Sequence, residues 1–362
     1  MVESKPLVLI TGVSGFIGSQ VLNEFLCFEG KDKYRIRCTV RDKNNAEKMK
    51  PLRDYFGEKL NEVEWFDVNL MNESQIKDAV KGCDYVVHTA SPVTLENPRN
   101  HDDLIIPAVN GVTFVMRAAQ ANNVKRVVIT SSVAAVSYML PEEEPDEFDE
   151  TCWSNVDKPD ALAYMKSKTL AEKAAWNLQK EWQSSGQFVP EVVTICPGLV
   201  LGEVIAQGAS SSPSMVKRIM NNEISAYPQL NWNCVDIKDV RLAHLRALER
   251  SEAANKRFLL TLERGEPFLG LADKLAEGLE ERGWKITINR VGVAYCYLKF
   301  YGYFSSEVAS LLPNVGKPPK IYNTKASRSI LGIEYKRTSK EMLVECGESQ
   351  IKLGTITNPC TK

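Results

Sequence analysis

"VLITGVSGFIGSQVLNEF", residues 8–25, decides the fold. It opens as a β-rich apolar run and closes as an amphipathic helix pattern, with Gly12, Gly15 and Gly18 at the join. Glycine lets the chain turn sharply there and lets the backbone come close to a pyrophosphate. The helix beyond offers free N–H groups and the positive end of its dipole. A glycine triplet alone says little, but this one follows a strand and opens a helix, which is the context a dinucleotide loop requires. The candidate phosphate contacts are therefore Gly12, Ser14, Gly15, Phe16, Ile17 and Gly18. The competing reading is a tight βα turn without a ligand.

Outward from this stretch the rhythm continues. Strand patterns at 7–11, 35–40, 63–68, 85–90, 126–131 and 191–196 alternate with helix patterns at 16–28, 44–56, 73–81, 104–122 and 160–183. Several strands are unbroken Val/Ile runs, as expected where both faces of a sheet are covered. The pattern predicts an α/β fold with a Rossmann-type, doubly wound parallel sheet. After Pro197 the pattern changes to a Gly/Ser-rich loop, "GEVIAQGASSSPS", and a helix near 213–221. "VDIKDVRLAHLRALER" then feeds a long helix, "RFLLT" is a late strand, and "FLGLADKLAEGLEERG" is a further helix. Residues 1–200 and about 231–262 are assigned to a cofactor-binding domain, and about 201–230 and 263–362 to a smaller, mainly helical substrate part.

Bulk properties narrow the function classes. The 362 residues carry a net charge of −1, with 44% hydrophobic and 25% charged side chains, an ordinary soluble balance. No basic run suggests nucleic acid. The N-terminus lacks a secretory pattern. The longest nearly uncharged stretch, 291–306, falls short of the ~20 apolar residues of a spanning helix, so no integral membrane segment is expected. Nine scattered cysteines and three histidines form no zinc or disulfide pattern, which suits a reducing cytosol.

The end of the second strand reads cofactor type. An acidic residue there accepts from a ribose 2′-hydroxyl, whereas an arginine accommodates a 2′-phosphate. The sequence is "RIRCTVRDKNNAEK", with Arg41 at the strand end and Lys43 and Lys48 behind it, so NADP(H) is expected over NAD(H). The alternative is a solvated basic loop. Asp67, with Val68 after it, is placed to meet the adenine amino group. Thr89, Ala90 and Ser91 would line the cofactor at the carboxyl edge of the sheet, and Pro197, Val200 and Ser212 complete the candidate contacts.

Chemistry enters with "YMKSK". Tyr164 and Lys168 stand i, i+4, hence on one helix face, and an ammonium beside a phenol is expected to lower the phenol's pKa. "VVITSS" ends the fifth strand with Ser131 and Ser132, and Tyr164 follows 32 residues after Ser132.

Together with "TGVSGFIGS", "TVRD", "HTASP", "PAVNGV", "DETCWSN", "YMKSKTLAEKAAW", "CPGLVLG", "VDIKDV" and "YNTKASRSILGIEYKRTSKEML", this arrangement resembles the extended short-chain dehydrogenase/reductases. Within them it is similar to the dihydroflavonol 4-reductase and cinnamoyl-CoA reductase group. The resemblance covers nearly the whole chain. It puts the catalytic serine, tyrosine and lysine on Ser132, Tyr164 and Lys168, and the 2′-phosphate contacts on Arg41 and Lys48. Asn110 matches an asparagine of the fourth helix, read here as structural. The resemblance implies an NADPH-dependent reductase acting on a small-molecule aldehyde or ketone. Tyr164 would be its general acid, Ser132 would stabilise the carbonyl oxygen, and Lys168 would tune Tyr164 and hold the nicotinamide ribose. A monomer or homodimer is expected.

The substrate side departs from both plant enzymes. "ALAYMKSK" lacks the Asn-Trp before and the Cys-Tyr-Gly after the tyrosine of cinnamoyl-CoA reductases. Ser137 stands where flavonoid reductases place an asparagine. The acidic insert "PEEEPDEFDE" (141–150) reads as a solvated loop, or as an edge of the pocket. Six aromatics in "VGVAYCYLKFYGYF" (291–304) read first as a helix packing its aromatic face into the small domain. They read second as a wall or lid for an apolar substrate, while a peripheral membrane contact would lack a basic flank. Cys152 and Cys196 are read as packing residues. Two other functions compete: a sugar-nucleotide epimerase or dehydratase with bound NAD, which Arg41 opposes, and a cofactor sensor without turnover, which need not keep all three catalytic side chains.

Overall fold

The computed structural model describes residues 5–92, 98, 100–158, 161–206 and 212–358, with backbone alone for Pro141, Ser306, Glu307 and Ser310. Strands and helices alternate through the first part: β1 (Leu7–Thr11), α1 (Phe16–Cys27), β2 (Arg35–Val40), α2 (Ala46–Phe56), β3 (Val63–Asp67), α3 (Glu73–Val80), β4 (Tyr85–His88), α4 (Asp102–Ala121), β5 (Arg126–Thr130), α5 (Ala163–Ser184) and β6 (Glu191–Pro197). The rest comprises β7 (Leu199–Leu201), α6 (Ser212–Met220), β8 (Asn231–Trp232), β9 (Cys234–Asp236), α7 (Ile237–Glu249), β10 (Lys256–Leu260), β11 (Glu266–Pro267), α8 (Phe268–Glu281), α9 (Tyr295–Gly302), α10 (Ser306–Leu311), α11 (Lys325–Ser329) and α12 (Ser339–Lys352).

Seven strands form one parallel sheet in the order β10-β6-β5-β4-β1-β2-β3. All carboxyl ends therefore share one edge, and the strand order reverses at β1, the position at which doubly wound sheets bind their ligands. "LVLIT" and "RVVIT" are buried at every position. One side of the sheet is covered by α3, α4 and α5, which pack Val112, Val115, Met116 and Ala175 against Leu9 and Val127. The other is covered by α1 and α7, with Val21, Leu22 and Val240 against Ile10 and Val128. By length and composition α4 alone among the described helices is apolar enough to cross a bilayer, but its apolar face is spent in this core.

Beyond β6 the chain builds a helical layer in which α12 packs on α6 and α8, started by a reciprocal cap between Thr338 and Glu341. Between α6 and α8 the chain returns to the sheet through β10, paired in parallel with β6 from Lys256↔Val193 to Leu260↔Pro197. Residues 207–211 of the Gly/Ser-rich loop lie outside the described residues.

Two readings need correction. The 291–304 segment does contain a helix, but α9 buries only Leu298, and all six aromatic rings are 51–79% exposed. Its aromatic face does not pack into the small domain. The acidic insert is also less free than its composition suggests. Glu144 pairs with Lys317 and Lys320, Glu147 accepts from Asn323, and Glu150 accepts from the Leu259 N–H. These partners belong to the C-terminal segment and β10, which pin the insert down.

Candidate active site

The glycine loop is built for close approach. Gly12 has φ +74°, a conformation that favours glycine, and a Cβ there would stand 2.8 Å from the Ala90 Cα. A Cβ on Gly18 would stand 2.3 Å from the Gly12 carbonyl oxygen and 2.7 Å from Thr89 Oγ1. Gly15 is the N-cap of α1 and supplies no side-chain cap, so the first-turn amides of Phe16, Ile17 and Gly18 are left for an anion. The side chain of Phe16 itself is core, while Ser14 and Ile17 keep some exposure.

At the end of β2, Arg41 is exposed and makes no hydrogen bond or ion pair among the described residues. Lys48 sits in the first turn of α2, where its backbone N–H is capped by Asn45 and its side chain faces solvent. Both cations are free to meet a phosphate. Asp67 is partly committed: its Oδ1 accepts from the Lys43 N–H at 2.6 Å. Its Oδ2 faces the Lys43 ammonium at 3.8 Å, so any adenine contact would share the carboxylate with Lys43. Val68 hydrogen-bonds Val40 through its backbone and buries its side chain in the core.

β4 ends two residues earlier than its apolar pattern predicts. Thr89 and Ala90 leave the ladder to grip β1 instead: Thr89 Oγ1 donates to the Thr11 carbonyl at 2.6 Å, and the Ala90 N–H donates to Thr11 Oγ1 at 3.2 Å. Their first task is to hold the glycine loop against β4, and Ser91 lies just beyond at the same edge. Pro197 ends β6 at this edge, Val200 is buried with only its backbone to offer, and Ser212 opens α6.

Ser132 follows β5 in extended conformation, its Oγ accepting from the Ala134 N–H at 3.1 Å. Tyr164 lies in the first turn of α5, with the Ser132 hydroxyl near enough to its phenol to favour the ionised form. The Lys168 ammonium is 5.9 Å from the Tyr164 ring centroid, and Lys168 is buried. The three side chains meet at the carboxyl edge, above the strands that carry the glycine loop.

The electrostatics differ from the sequence expectation. Burial pushes the Tyr164 pKa up, and the Ser132 hydrogen bond pulls it part of the way back. Burial also pulls Lys168 down to about 8. Lys168 is still charged at neutral pH, yet its charge does not offset what burial does to the phenol.

Sequence reasoning missed what stands behind Lys168. Glu172, one turn further along α5, accepts from Ser131 Oγ at 2.6 Å, Thr194 Oγ1 at 2.8 Å and Arg257 Nε at 2.7 Å. Its i+4 spacing from Lys168 was the available signal. His88 is buried, bonded through Nδ1 to Thr11 Oγ1 at 2.9 Å. Burial, then the Lys168 charge, push it down to about 4, so it is a neutral neighbour. Cys196 and Cys152 are both raised by burial, so neither is an activated thiolate. Ser137 is occupied: it accepts from Tyr322 OH at 2.6 Å and donates to the Val133 carbonyl at 3.2 Å.

Residues 8–260 match the family described as "NAD dependent epimerase/dehydratase family". This chain belongs to that family, the extended short-chain dehydrogenase/reductases. Among the family's proteins it is 34% identical over 258 residues to a cinnamoyl-CoA reductase, CAD2, of Medicago truncatula, covering 70% of this chain and 76% of that one. It is also 34% identical over 265 residues to the dihydroflavonol 4-reductase of Arabidopsis thaliana, covering 71% and 65%. The fold is shared across 97% of this chain and 100% of the yeast methylglyoxal/isovaleraldehyde reductase Gre2, solved with NADPH, at a TM-score of 0.73 and 24% identity.

Proposed function

We propose that this family member is an NADPH-dependent carbonyl reductase with Tyr164 as general acid. The observation that carries the reading is the meeting of Ser132, Tyr164 and Lys168 at the sheet edge that also holds the glycine loop. The cofactor choice rests on the unpartnered Arg41 and Lys48, which fit a 2′-phosphate, together with the uncapped N-terminus of α1 for the pyrophosphate. NADPH supplies a hydride to the carbonyl carbon. Tyr164 then delivers its proton to the oxygen, where charge develops, and Ser132 donates a hydrogen bond to the same atom. The raised pKa of Tyr164 serves this direction, because the phenol stays protonated at neutral pH until an alkoxide-like oxygen takes its proton. Lys168, while charged, steadies the departing phenolate and the ribose hydroxyls.

Residues 1–200 and about 231–262 would form the NADP-binding part, with 201–230 and 263–362 as the substrate part. Support comes from the return of β10 to the sheet after the helical excursion. The relatives named above are reductases, and their substrates differ. A cytosolic setting agrees with the eight described cysteines, all unpaired. The epimerase alternative uses the same fold, but Arg41 stands where an NAD enzyme favours a carboxylate.

The test is NADPH and NADH consumption by the purified chain over aldehydes, α-diketones, flavonoid-like ketones and steroid-like ketones. Turnover with NADPH on at least one class is expected. No turnover on any, or NAD retained through purification, would overturn the reading.

A further inference from the structure

The proposed reductase chemistry leaves one conspicuous segment unused. Tyr295, Tyr297, Phe300, Tyr301, Tyr303 and Phe304 project from α9 and the two residues after it, all exposed. The segment is tethered. The Tyr227 N–H donates to the Val291 carbonyl at 2.7 Å, and the Val293 N–H donates to the Tyr227 carbonyl at 3.0 Å. A Cβ on Gly302 would stand 3.4 Å from the Ala309 Cα of α10 and 3.0 Å from the Cδ1 of Leu312, just beyond that helix. The rings are therefore presented by a fixed stub.

Their distribution says what can cover them. At roughly 100° per residue, the rings sweep about 240° of the helix circumference, leaving only the Leu298 and Gly302 side for the protein body. A helix that is apolar nearly all round belongs in a core or in lipid. A rigid partner surface reaches one face of such a stub, whereas a deformable medium wraps it. The composition agrees. Residues 291–304 contain no Asp or Glu, and Lys299, exposed among the rings, is the one charged side chain. Four of the six rings are tyrosines, with an apolar body and a polar tip, the chemistry favoured where acyl chains meet headgroups. A long lysine can reach from that depth back to lipid phosphates. Nearby Arg290 adds no free cation, since Asp273 and Glu280 lie against it at 3.6 and 4.0 Å.

We propose that residues 291–304 form an interfacial anchor that seats the protein on the surface of a phospholipid bilayer, with the rings at the headgroup–acyl boundary and Lys299 at the phosphates. The anchoring is driven by apolar burial, so it needs little anionic lipid and survives salt.

The experiment is co-sedimentation of the full chain with phosphatidylcholine vesicles, with and without phosphatidylserine, at low and high salt. A triple variant, Phe300→Ser, Tyr301→Ser and Phe304→Ser, is run alongside, with NADPH oxidation in vesicle-free buffer as the check on folding. Expected are pelleting of the wild type on both vesicles, retention in high salt, and at least tenfold weaker partitioning of the variant with unchanged NADPH oxidation. The proposal is overturned by a wild type that stays in the supernatant, or by binding that high salt abolishes. It is overturned equally by a variant that pellets like the wild type, by a concentration-dependent dimer lost in the variant (which makes the patch a self-interface), or by a variant with raised KM in vesicle-free buffer, which makes it a substrate lid.

Discussion

Glu172 and Arg257 form an ion pair at 2.7 Å, with side-chain exposures of 1% and 8%. Glu172 lies on α5 one turn beyond Lys168, where it also takes hydrogen bonds from Ser131, just after β5, and from Thr194, midway along β6. Removing one partner strands the other charge in the interior, which costs about 3–5 kcal/mol. Glu172→Gln is expected to lower the urea midpoint accordingly, while Glu172→Leu combined with Arg257→Leu recovers part of the loss. An unchanged midpoint in Glu172→Gln would show that the pair is not sealed from water as described.

Arg41 decides cofactor type in this account. A charge-assisted contact is worth about 1.5–3 kcal/mol, and each 1.4 kcal/mol is tenfold in affinity. Arg41→Asp is therefore expected to weaken NADPH binding roughly 10- to 100-fold while NADH binding holds or tightens, as read by nicotinamide fluorescence titration. Tighter binding of NADH than NADPH by the wild type would remove the basis for the choice.

Lys168 sets an alkaline limit. Burial brings its pKa down to about 8 from the ordinary 10.5, with the Glu172 carboxylate among the groups opposing the shift. The ammonium is present below about pH 8 and lost above it, so kcat/KM for reduction should fall about tenfold per pH unit beyond that point. Stability moves the other way. The folded pKa is depressed, so between pH 8 and 10.5 the unfolded chain binds more protons, and the contribution of Lys168 to stability rises. A falling rate in a chain that is still folded therefore separates deprotonation from unfolding. Lys168→Arg should move the limb to higher pH, and a limb that stays in place would assign it elsewhere.

The alternating part of the fold was legible because continuous Val/Ile runs between glycine turns have few other solutions. β1 and β2 begin and end where the pattern places them. β4 stops early because Thr89 and Ala90 turn to bond Thr11, a choice made by a neighbouring strand and invisible in the run itself. The meeting of Ser132, Tyr164 and Lys168 was legible through the spacing on α5 and the place after β5. Their electrostatics were not, since burial, which sequence does not display, outweighs the Lys168 charge at Tyr164. The aromatic segment fails for a related reason. Periodicity marks a helix, but it does not say whether anything covers the rings.

The central claim is tested most directly by Tyr164→Phe, which removes one hydroxyl and keeps the ring. General acid catalysis is worth about 10²–10⁴-fold, so kcat for NADPH-dependent carbonyl reduction should fall by that factor while the NADPH dissociation constant stays at the wild-type value. A Tyr164→Phe protein that binds NADPH normally and keeps full turnover would contradict the account.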